Sequence, residues 1–311
     1  MPDAVPTQPA PLSKGAVFVR RLFSSVVLWT VVIAGLFSGI HWLSNGLFFV
    51  IITVLALFGL IEFYDLVQKR DLVCFKEWGI VGGMLLTVST FFYVAGEIEP
   101  LRILPPDVND FETAFLILFV LGLCVRQFVS RTNTSGILAI STTLFGLMYV
   151  PWLLNFIQKI NFYPGVEGRY YVLYFVLVTK FSDIGAYCTG SLIGKHKMIP
   201  RISPGKTWEG FGGAIVFSTV VSLVFAHFAR GHLTGMTVVH AVVLGVLLST
   251  TAVVGDLIES LFKREAGVKD SGRFFPGIGG ILDLLDSLLF NAPLMYLYLR
   301  YVMRPECVVM P

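Results

Sequence analysis

Acidic side chains recur at helical spacing in two short runs near the carboxyl end of the sequence. Each run places two carboxylates and one hydroxyl at positions i, i+3 and i+4, which lie on one face of a helix. The residues are Asp256, Glu259, Ser260, Asp283, Asp286 and Ser287. Carboxylates held this close repel unless a cation neutralises them, and Mg²⁺ favours one or two carboxylates with waters and phosphates. The pattern predicts a divalent-cation site, although pairing with nearby lysines and arginines would also explain it.

The segment between the two acidic runs is both basic and rich in glycine. It reads KREAGVKDSGRFFPGIGG, with four cationic residues and five glycines. Glycine backbone can approach a phosphate closely, and lysine and arginine supply the charge that a triphosphate requires. A second basic segment, GKHKMIPRISPGKTWEG, leads into an apolar run, and Ser203 or Thr207 is placed to cap that helix. Together the segments predict a nucleotide-phosphate site, whereas the second alone would also fit an ordinary basic loop.

The elements that must position these residues are membrane helices. Hydrophobic residues make up 55% of the 311 residues and charged residues 14%, against about 25% charged in soluble proteins. We predict an all-α polytopic membrane protein with about nine transmembrane helices. The predicted spans are 22–40, 42–65, 78–96, 112–129, 136–157, 170–193, 208–228, 236–257 and 284–302. The predicted parts are an N-terminal tail (1–20), N-terminal membrane helices (21–165) and a catalytic region (166–304).

Ionisable residues stand inside or at the end of several spans. The sixth span contains Lys180 and Asp183. Such residues usually face a polar cavity because placing them in lipid is costly, so we expect Asp183 to line one. Glu62 and Asp65 end the second span, where we interpret them as ordinary residues of the membrane interface.

The distribution of lysine and arginine predicts the orientation of the chain. These residues concentrate in alternate loops, which indicates a cytoplasmic N-terminus and an external C-terminus. The two most basic loops, 194–207 and 258–283, would then face the cytoplasm, where nucleotides are found.

Other functions lack support in the sequence. The net charge of +3 is too small to indicate nucleic-acid binding. The sequence has no H-E-x-x-H, G-x-S-x-G or P-loop motif, so the corresponding chemistries lack support.

A long run in the C-terminal half resembles a known family. The run SLFKREAGVKDSGRFFPGIGGILD is similar to the signature of the phosphatidate cytidylyltransferases, S-x-x-K-R-x4-K-D-x-[GSA]-x2-[LIF]-[PG]-x-H-G-G-x-x-D-R-x-D. The matching residues are Ser260, Lys263, Arg264, Lys269, Asp270, Gly272, Pro276 or Gly277, Gly279, Gly280, Asp283 and Asp286. The stretches SDIGAY and GKHKMIPRISPGKTWEG also resemble this family, so the resemblance covers about residues 170–290.

The resemblance implies an Mg²⁺-dependent enzyme that transfers CMP from CTP to phosphatidate, giving CDP-diacylglycerol and pyrophosphate. By its motif, Asp256 and Asp283 would hold the metal. The catalytic group would also include Lys263, Arg264, Lys269 and Asp270. Further substrate contacts would come from Asp183, Arg201, Ser203, Lys206, Thr207, Ser260, Gly279 and Gly280. The implied partners are CTP, phosphatidate and the bilayer, with the active site on the cytoplasmic side of a cell (inner) membrane.

The sequence departs from the signature at two positions. Ile278 stands where histidine is usual and Leu284 where arginine is usual, so no role of those two side chains is transferred. Two other functions stay open: a CTP-dependent lipid-alcohol kinase, and a secondary transporter with Lys180, Asp183 and the helix-end acids along its path. The sequence specifies no oligomeric state, and a homodimer is kept as a candidate.

Overall fold

The chain folds as a bundle of long apolar helices. The computed structural model describes residues 29–30, 32–96, 107–130, 135–272 and 279–304. Within them, eight helical spans are long and apolar enough to cross a membrane, which confirms an all-α polytopic membrane protein. The helices are α1 (His41–Lys69), α2 (Lys76–Val94), α3 (Val108–Val129), α4 (Gly136–Leu147), α5 (Leu153–Asn161), α6 (Gly168–Ile193), α7 (Trp208–Phe228), α8 (Val238–Glu265) and α9 (Ile281–Tyr298). A π-helical turn joins α4 to α5 in one span, and another ends α9.

The spans agree with the predicted ones except at some ends. The tail 1–20 lies wholly outside the described residues. Of the first predicted span, 22–40, residues 29–30 and 32–40 are described, and 29–30 and 32–37 are helical. The predicted loop 258–283 is too long, because α8 continues to Glu265 and α9 begins at Ile281. The added turns of α8, IESLFKRE, are mostly good helix formers, and the chain leaves the helix at Gly267, whose φ is +68°.

A two-stranded hairpin is the one non-helical element within the described residues, and the all-α prediction omitted it. Strands β1 (Lys197–Ile199) and β2 (Ser203–Thr207) pair antiparallel in the predicted cytoplasmic loop 194–207. The Thr207 hydroxyl accepts a hydrogen bond from the backbone N–H of Gly210 at 3.1 Å, which confirms that a residue of this loop caps the following helix. The hairpin therefore holds Lys206 at the N-terminus of α7.

Helices α6 to α9 pack in sequence and place their acidic ends together. Gly255 lets α8 and α9 come close, because a Cβ atom there would lie 2.7 Å from the backbone oxygen of Asp286. This approach puts Asp256 beside Asp286. Buried apolar residues of α1 join the same core as those of α6 and α9, so the N-terminal helices support the acidic ends.

A buried ion pair joins helices at the opposite end of the bundle. The Lys159 ammonium on α5 lies 2.5 Å from the Glu112 carboxylate on α3, and both side chains are 2% exposed. Asn155 and the Trp152 indole also donate hydrogen bonds to Glu112. These donors satisfy a carboxylate that would otherwise be costly to bury.

Candidate active site

A polar cavity of about 590 Å³ lies between α6, the hairpin, α8 and α9. Several of the predicted site residues line it: Asp183, Ser203, Lys206, Thr207, Asp256 and Asp283. Asp286, which belongs to the acidic pattern of the predicted cation site, lines it too, and so do Lys180 and Lys197, which were not among the predicted site residues. The structure thus brings the sixth predicted span, the hairpin segment and the acidic ends of α8 and α9 to one place.

Asp256 connects α8 to the hairpin. Its carboxylate forms an ion pair with the Lys206 ammonium, which also donates to the backbone oxygen of Val253 at 3.3 Å. The Ser260 hydroxyl lies one turn further along α8, 3.5 Å from Asp256 Oδ1. Asp256 and Ser260 therefore share a helix face as their spacing predicts, and Lys206 supplies the neighbouring charge.

Asp283 closes the loop between α8 and α9. Its Oδ1 atom accepts from the Lys263 ammonium at 2.6 Å. Its Oδ2 atom accepts from the backbone N–H groups of Gly280 at 2.8 Å and Ser271 at 3.1 Å, and from the Ser271 hydroxyl. A carboxylate in the first turn of a helix suits the positive end of the helix dipole. Asp283 is thus held in a defined position in the first turn of α9.

Lys263 stands between two carboxylates. Besides Asp283, its Nζ atom lies 3.3 Å from Glu259 Oε1, one turn back on α8. The Glu259 side chain is fully buried, yet neither of its oxygens accepts a well-formed hydrogen bond from the described residues. Lys263 therefore contacts Glu259 without a well-formed hydrogen bond and binds Asp283 through a short one.

Glu62, which the sequence led us to interpret as an interfacial residue, is in fact part of this site. Its carboxylate on α1 accepts from the backbone N–H groups of Ile281 at 3.0 Å and Leu282 at 2.8 Å, at the start of α9. It also lies 2.9 Å from the Ser271 hydroxyl, whose single proton is shared between Glu62 and Asp283. The only signal in the sequence was an acid near the end of an apolar span, which interface residues share. Its partners lie more than 200 positions away, so no local pattern could reveal them.

The contact between Glu62 and the start of α9 leaves no room for a side chain at Gly280. A Cβ atom at position 280 would collide with the Glu62 carboxylate and the Ser271 hydroxyl. Neighbouring Gly279 has φ +119°. The two glycines of the signature thus shape the loop around Glu62 and Asp283, while Ile278 lies outside the described residues.

Eight predicted site residues do not line the cavity: Arg201, Ser260, Lys263, Arg264, Lys269, Asp270, Gly279 and Gly280. Arg201, Lys269 and Asp270 are exposed, on the hairpin and on the loop after α8. Arg264 donates to the backbone oxygens of Ile202 at 3.2 Å and Val268 at 3.4 Å. Arg264 therefore ties the end of α8 to the hairpin.

The described residues offer carboxylate oxygens for a metal but no ready-made cage. Among them, no group of three or more His, Cys, Asp or Glu side chains is arranged to hold a metal ion. Mg²⁺ rarely needs such a cage, because waters and substrate phosphates complete its shell around one or two carboxylates. Asp256 and Asp283, which both line the polar cavity, fit that requirement.

A second cavity, of about 400 Å³ and mostly apolar, adjoins the first. Its walls come from residues 29–36, α1, α5, α6 and α9, with Leu36, Ile52 and Leu288 among them. Lys180, Asp183 and Asp283 line both cavities. The polar and apolar spaces therefore meet at these three side chains.

Comparison with known proteins identifies the family of the chain. The model of a family described as the cytidylyltransferase family matches residues 24–302, most of the chain. The chain belongs to the cytidylyltransferase family. The match includes every residue of both cavities and Glu62.

Several similar proteins align with this chain over most of their own length. A phosphatidate cytidylyltransferase of Staphylococcus saprophyticus is 34% identical over 261 residues, which are 79% of this chain and 97% of that protein. A protein of the same name from Haemophilus influenzae is 29% identical over 292 residues, 91% and 99% of the two chains. Another from Staphylococcus epidermidis is 36% identical over 224 residues, 69% and 82% of the two chains.

Proposed function

We propose that this protein transfers CMP from CTP to phosphatidate, forming CDP-diacylglycerol and pyrophosphate. The observation that carries the proposal is the meeting of a polar cavity and an apolar cavity at Lys180, Asp183 and Asp283. A reaction between a water-soluble nucleotide and a membrane lipid requires such a junction. The names of the similar proteins support the same reaction.

The chemistry is a displacement at the α-phosphorus of CTP. A phosphate oxygen of phosphatidate bonds to that phosphorus, the bond to the bridging α–β oxygen breaks, and pyrophosphate leaves with the electron pair. Catalysis of this kind depends mainly on positioning and on neutralising negative charge. Lys206 and Lys263 are placed for that task, because each stands beside a cavity carboxylate.

We propose that the remaining predicted residues also contact substrate, some from the cavity and others from the exposed loops. Ser203 and Thr207 line the cavity, and Thr207 also caps α7, whose N-terminus favours a phosphate. Arg201, Lys269 and Asp270 would meet the nucleotide only from the exposed cytoplasmic segments. Their contribution is accordingly proposed to be smaller than that of Lys206 and Lys263.

We propose Mg²⁺ as the cofactor, held by Asp256 and Asp283. When bound, it would neutralise charge on the phosphates of CTP. The adjacent lysines, Lys206 and Lys263, bring positive charge to the same carboxylates. Removal of divalent cations with EDTA should abolish synthesis, and added Mg²⁺ should restore it.

The protein is a membrane protein, and we propose that it resides in a bacterial inner membrane with the hairpin and the polar cavity on the cytoplasmic side. The similar proteins come from bacteria, and CTP is a cytoplasmic nucleotide. The basic residues of the hairpin and of the α8 end support the same orientation. A homodimer is retained as a proposal, to be examined by the mass of the purified protein in detergent.

The decisive experiment is an assay of purified protein with phosphatidate and CTP labelled at one phosphate. Label from the α-phosphate should enter the lipid product, and label from the γ-phosphate should leave in pyrophosphate. Entry of γ-label into lipid would instead indicate a lipid kinase. Nucleotide-independent solute uptake by proteoliposomes, with no lipid product, would indicate a transporter.

A further inference from the structure

We propose that Lys180 binds the phosphate of the lipid substrate at the junction of the two cavities. The inference rests on the proposed function and adds a residue that neither the motif resemblance nor the sequence assigned to substrate. The ligand class is a phosphomonoester on a diacylglycerol. Four observations carry the proposal.

The first is the position of Lys180. Of the described residues that line both cavities, it is the cation, while Asp183 and Asp283 are acids. A phosphate attached to acyl chains must sit where its chains meet apolar walls and its oxygens meet a positive charge. Lys180 satisfies both conditions.

The second is its setting in α6, a membrane-spanning helix. An ammonium group within such a helix is expensive to keep and usually serves a substrate or ion path. Its side chain remains 24% exposed, so it is accessible from the cavities. The ion pair of Lys159 with Glu112 is by contrast almost fully buried.

The third is the set of contacts that hold its ammonium. Nζ donates to the backbone oxygen of Leu284 at 3.1 Å and to the Ser287 hydroxyl at 3.4 Å. The nearest carboxylate, Asp183, is 3.7 Å away, beyond hydrogen-bond distance. An ammonium has three donors, so these neutral partners orient Lys180 without using all its capacity for an anion.

The fourth is the division of charge between the two substrates. Lys206 lines the polar cavity, and Lys263 contacts Asp283 there, so the phosphates of CTP have cations of their own. Lys180 also lines the apolar cavity, whose walls include Leu284 and Leu285, whereas Lys206 does not. The lipid phosphate would therefore face the nucleotide across Asp183 and Asp283.

The test compares substrate constants of four proteins in mixed micelles: wild type, Lys180→Met, Lys180→Arg and the control Lys69→Met. Lys69 is an exposed lysine at the end of α1, away from both cavities. Lys180→Met should raise KM for phosphatidate about tenfold or more, the usual effect of losing a hydrogen bond to a charged group, and leave KM for CTP within about twofold. Lys180→Arg should retain most of the affinity, and Lys69→Met all of it.

A double variant tests whether a positive charge at the junction of the two cavities is what binds phosphatidate. Because Lys180 contacts the backbone of residue 284, Leu284→Arg in the Lys180→Met background would return a cation to the same junction and should recover part of the phosphatidate affinity. An unchanged KM for phosphatidate in Lys180→Met, or an increase in KM for CTP alone, would overturn the proposal. Thermal unfolding of each variant identifies misfolded protein, and Lys180→Gln then replaces any variant that fails to fold.

A binding measurement separates this proposal from the proposed function. Short-chain phosphatidate, diacylglycerol of the same chains and inorganic phosphate are titrated without CTP onto wild type and Lys180→Met. Wild type should bind phosphatidate more tightly than either other ligand, and Lys180→Met should lose that preference. If wild type binds in this way but makes no CDP-lipid, the proposed reaction fails while Lys180 remains a phosphate-binding residue. Equal binding of phosphatidate by both proteins would refute the role of Lys180.

Discussion

At the scale of single residues, the site depends on the carboxylate of Glu62, which lines neither the polar nor the apolar cavity. Glu62 holds the first two backbone N–H groups of α9 and the Ser271 hydroxyl, and that hydroxyl in turn holds Asp283. The unsatisfied N–H groups at a helix start make this a favourable place for a negative charge. Glu62 therefore positions the loop and the aspartate that we propose binds metal.

Glu62→Gln should lower kcat by roughly 10- to 100-fold, as losses of residues that orient metal ligands commonly do. The amide cannot accept all three of the hydrogen bonds that the carboxylate accepts, because one of its heavy atoms is a donor. The measurement is steady-state kinetics with Mg²⁺ titration, and the apparent Mg²⁺ affinity should fall as well. Glu77→Gln, an exposed acid in the first turn of α2, is the matched control. Wild-type kcat and Mg²⁺ dependence in Glu62→Gln would contradict the positioning role.

Asp256→Asn should reduce kcat/KM by at least about 100-fold, the size of effect seen when one electrostatic group of an active site is removed. The substitution keeps the size of the side chain while removing the charge that pairs with Lys206. Activity is measured across a range of Mg²⁺ concentrations, and thermal unfolding reports folding. Glu265→Gln, an exposed acid at the end of the same helix, serves as control. If Asp256→Asn turned over at the wild-type rate, the metal assignment would be wrong.

At the scale of elements, polar networks at the opposite membrane face fix α3, α5 and α9 to one another. Lys159 contacts Glu112 and Asn109, and Asn109 contacts the Tyr296 hydroxyl on α9. Asp107 at the start of α3 meets Arg300 beyond the regular end of α9 at 2.7 Å. The far end of α9 is thereby anchored while Glu62 holds its near end.

Lys159→Met should destabilise the protein by about 3–5 kcal/mol, because it leaves the buried Glu112 carboxylate without its cation. The double variant Lys159→Met with Glu112→Gln should recover part of that loss, since no buried charge then remains unpaired. Unfolding by denaturant in detergent measures both. A single variant as stable as wild type would show that Glu112 is neutralised in some other way.

The Asp107 contact predicts a pH dependence. Burial opposes ionisation of this carboxyl, but hydrogen bonds from Arg300 and from the Asn109 backbone outweigh it and lower its pKa below the usual Asp value. A lowered folded-state pKa stabilises the protein above the unfolded pKa of about 4, and the benefit disappears as pH falls through the folded value. The wild-type advantage in Tm over Asp107→Asn should therefore be present at pH 6 and shrink toward pH 3. An advantage that stayed constant over this range would contradict the assignment.

Sequence periodicity located the elements well and their ends less well. Long apolar runs predicted eight described spans, because lipid imposes a strong and local requirement on each one. The predicted end of α8 at residue 257 was wrong, because charged residues such as Lys263 and Arg264 continue a helix into water as readily as they form a loop. The hairpin was missed since its strands are short and hold few β-formers.

The parts of the candidate site that depend on local sequence could be predicted, and the parts that depend on tertiary contacts could not. The spacing of Asp256 and Ser260 and the cap at Thr207 are local properties, and the structure shows both. Glu62 and Lys180 depend on tertiary contacts with α9 that no spacing encodes.

At the scale of the whole molecule, the remaining prediction concerns which side of the membrane each end of the bundle faces. In a variant without native cysteines, Pro200→Cys in the hairpin should react with an impermeant thiol reagent only from the cytoplasmic side. Gly231→Cys, in the exposed turn after α7, should react only from the outside. Both positions are exposed, and a Cβ atom at Gly231 would meet no neighbour. Reaction of both from one side would overturn the orientation.

The bond between Glu62 and Ile281 spans 219 positions of the chain, and this separation has a consequence for how the protein is made. Ribosomes synthesise from the N-terminus, so Glu62 reaches the membrane well before the helix it will hold exists. During that interval its carboxylate must stay hydrated at the lipid boundary, because an unpaired charge in lipid is strongly disfavoured. We therefore expect the newborn enzyme to remain inactive until its last span has inserted. Chains truncated before α9 should be prime substrates for membrane quality-control proteases.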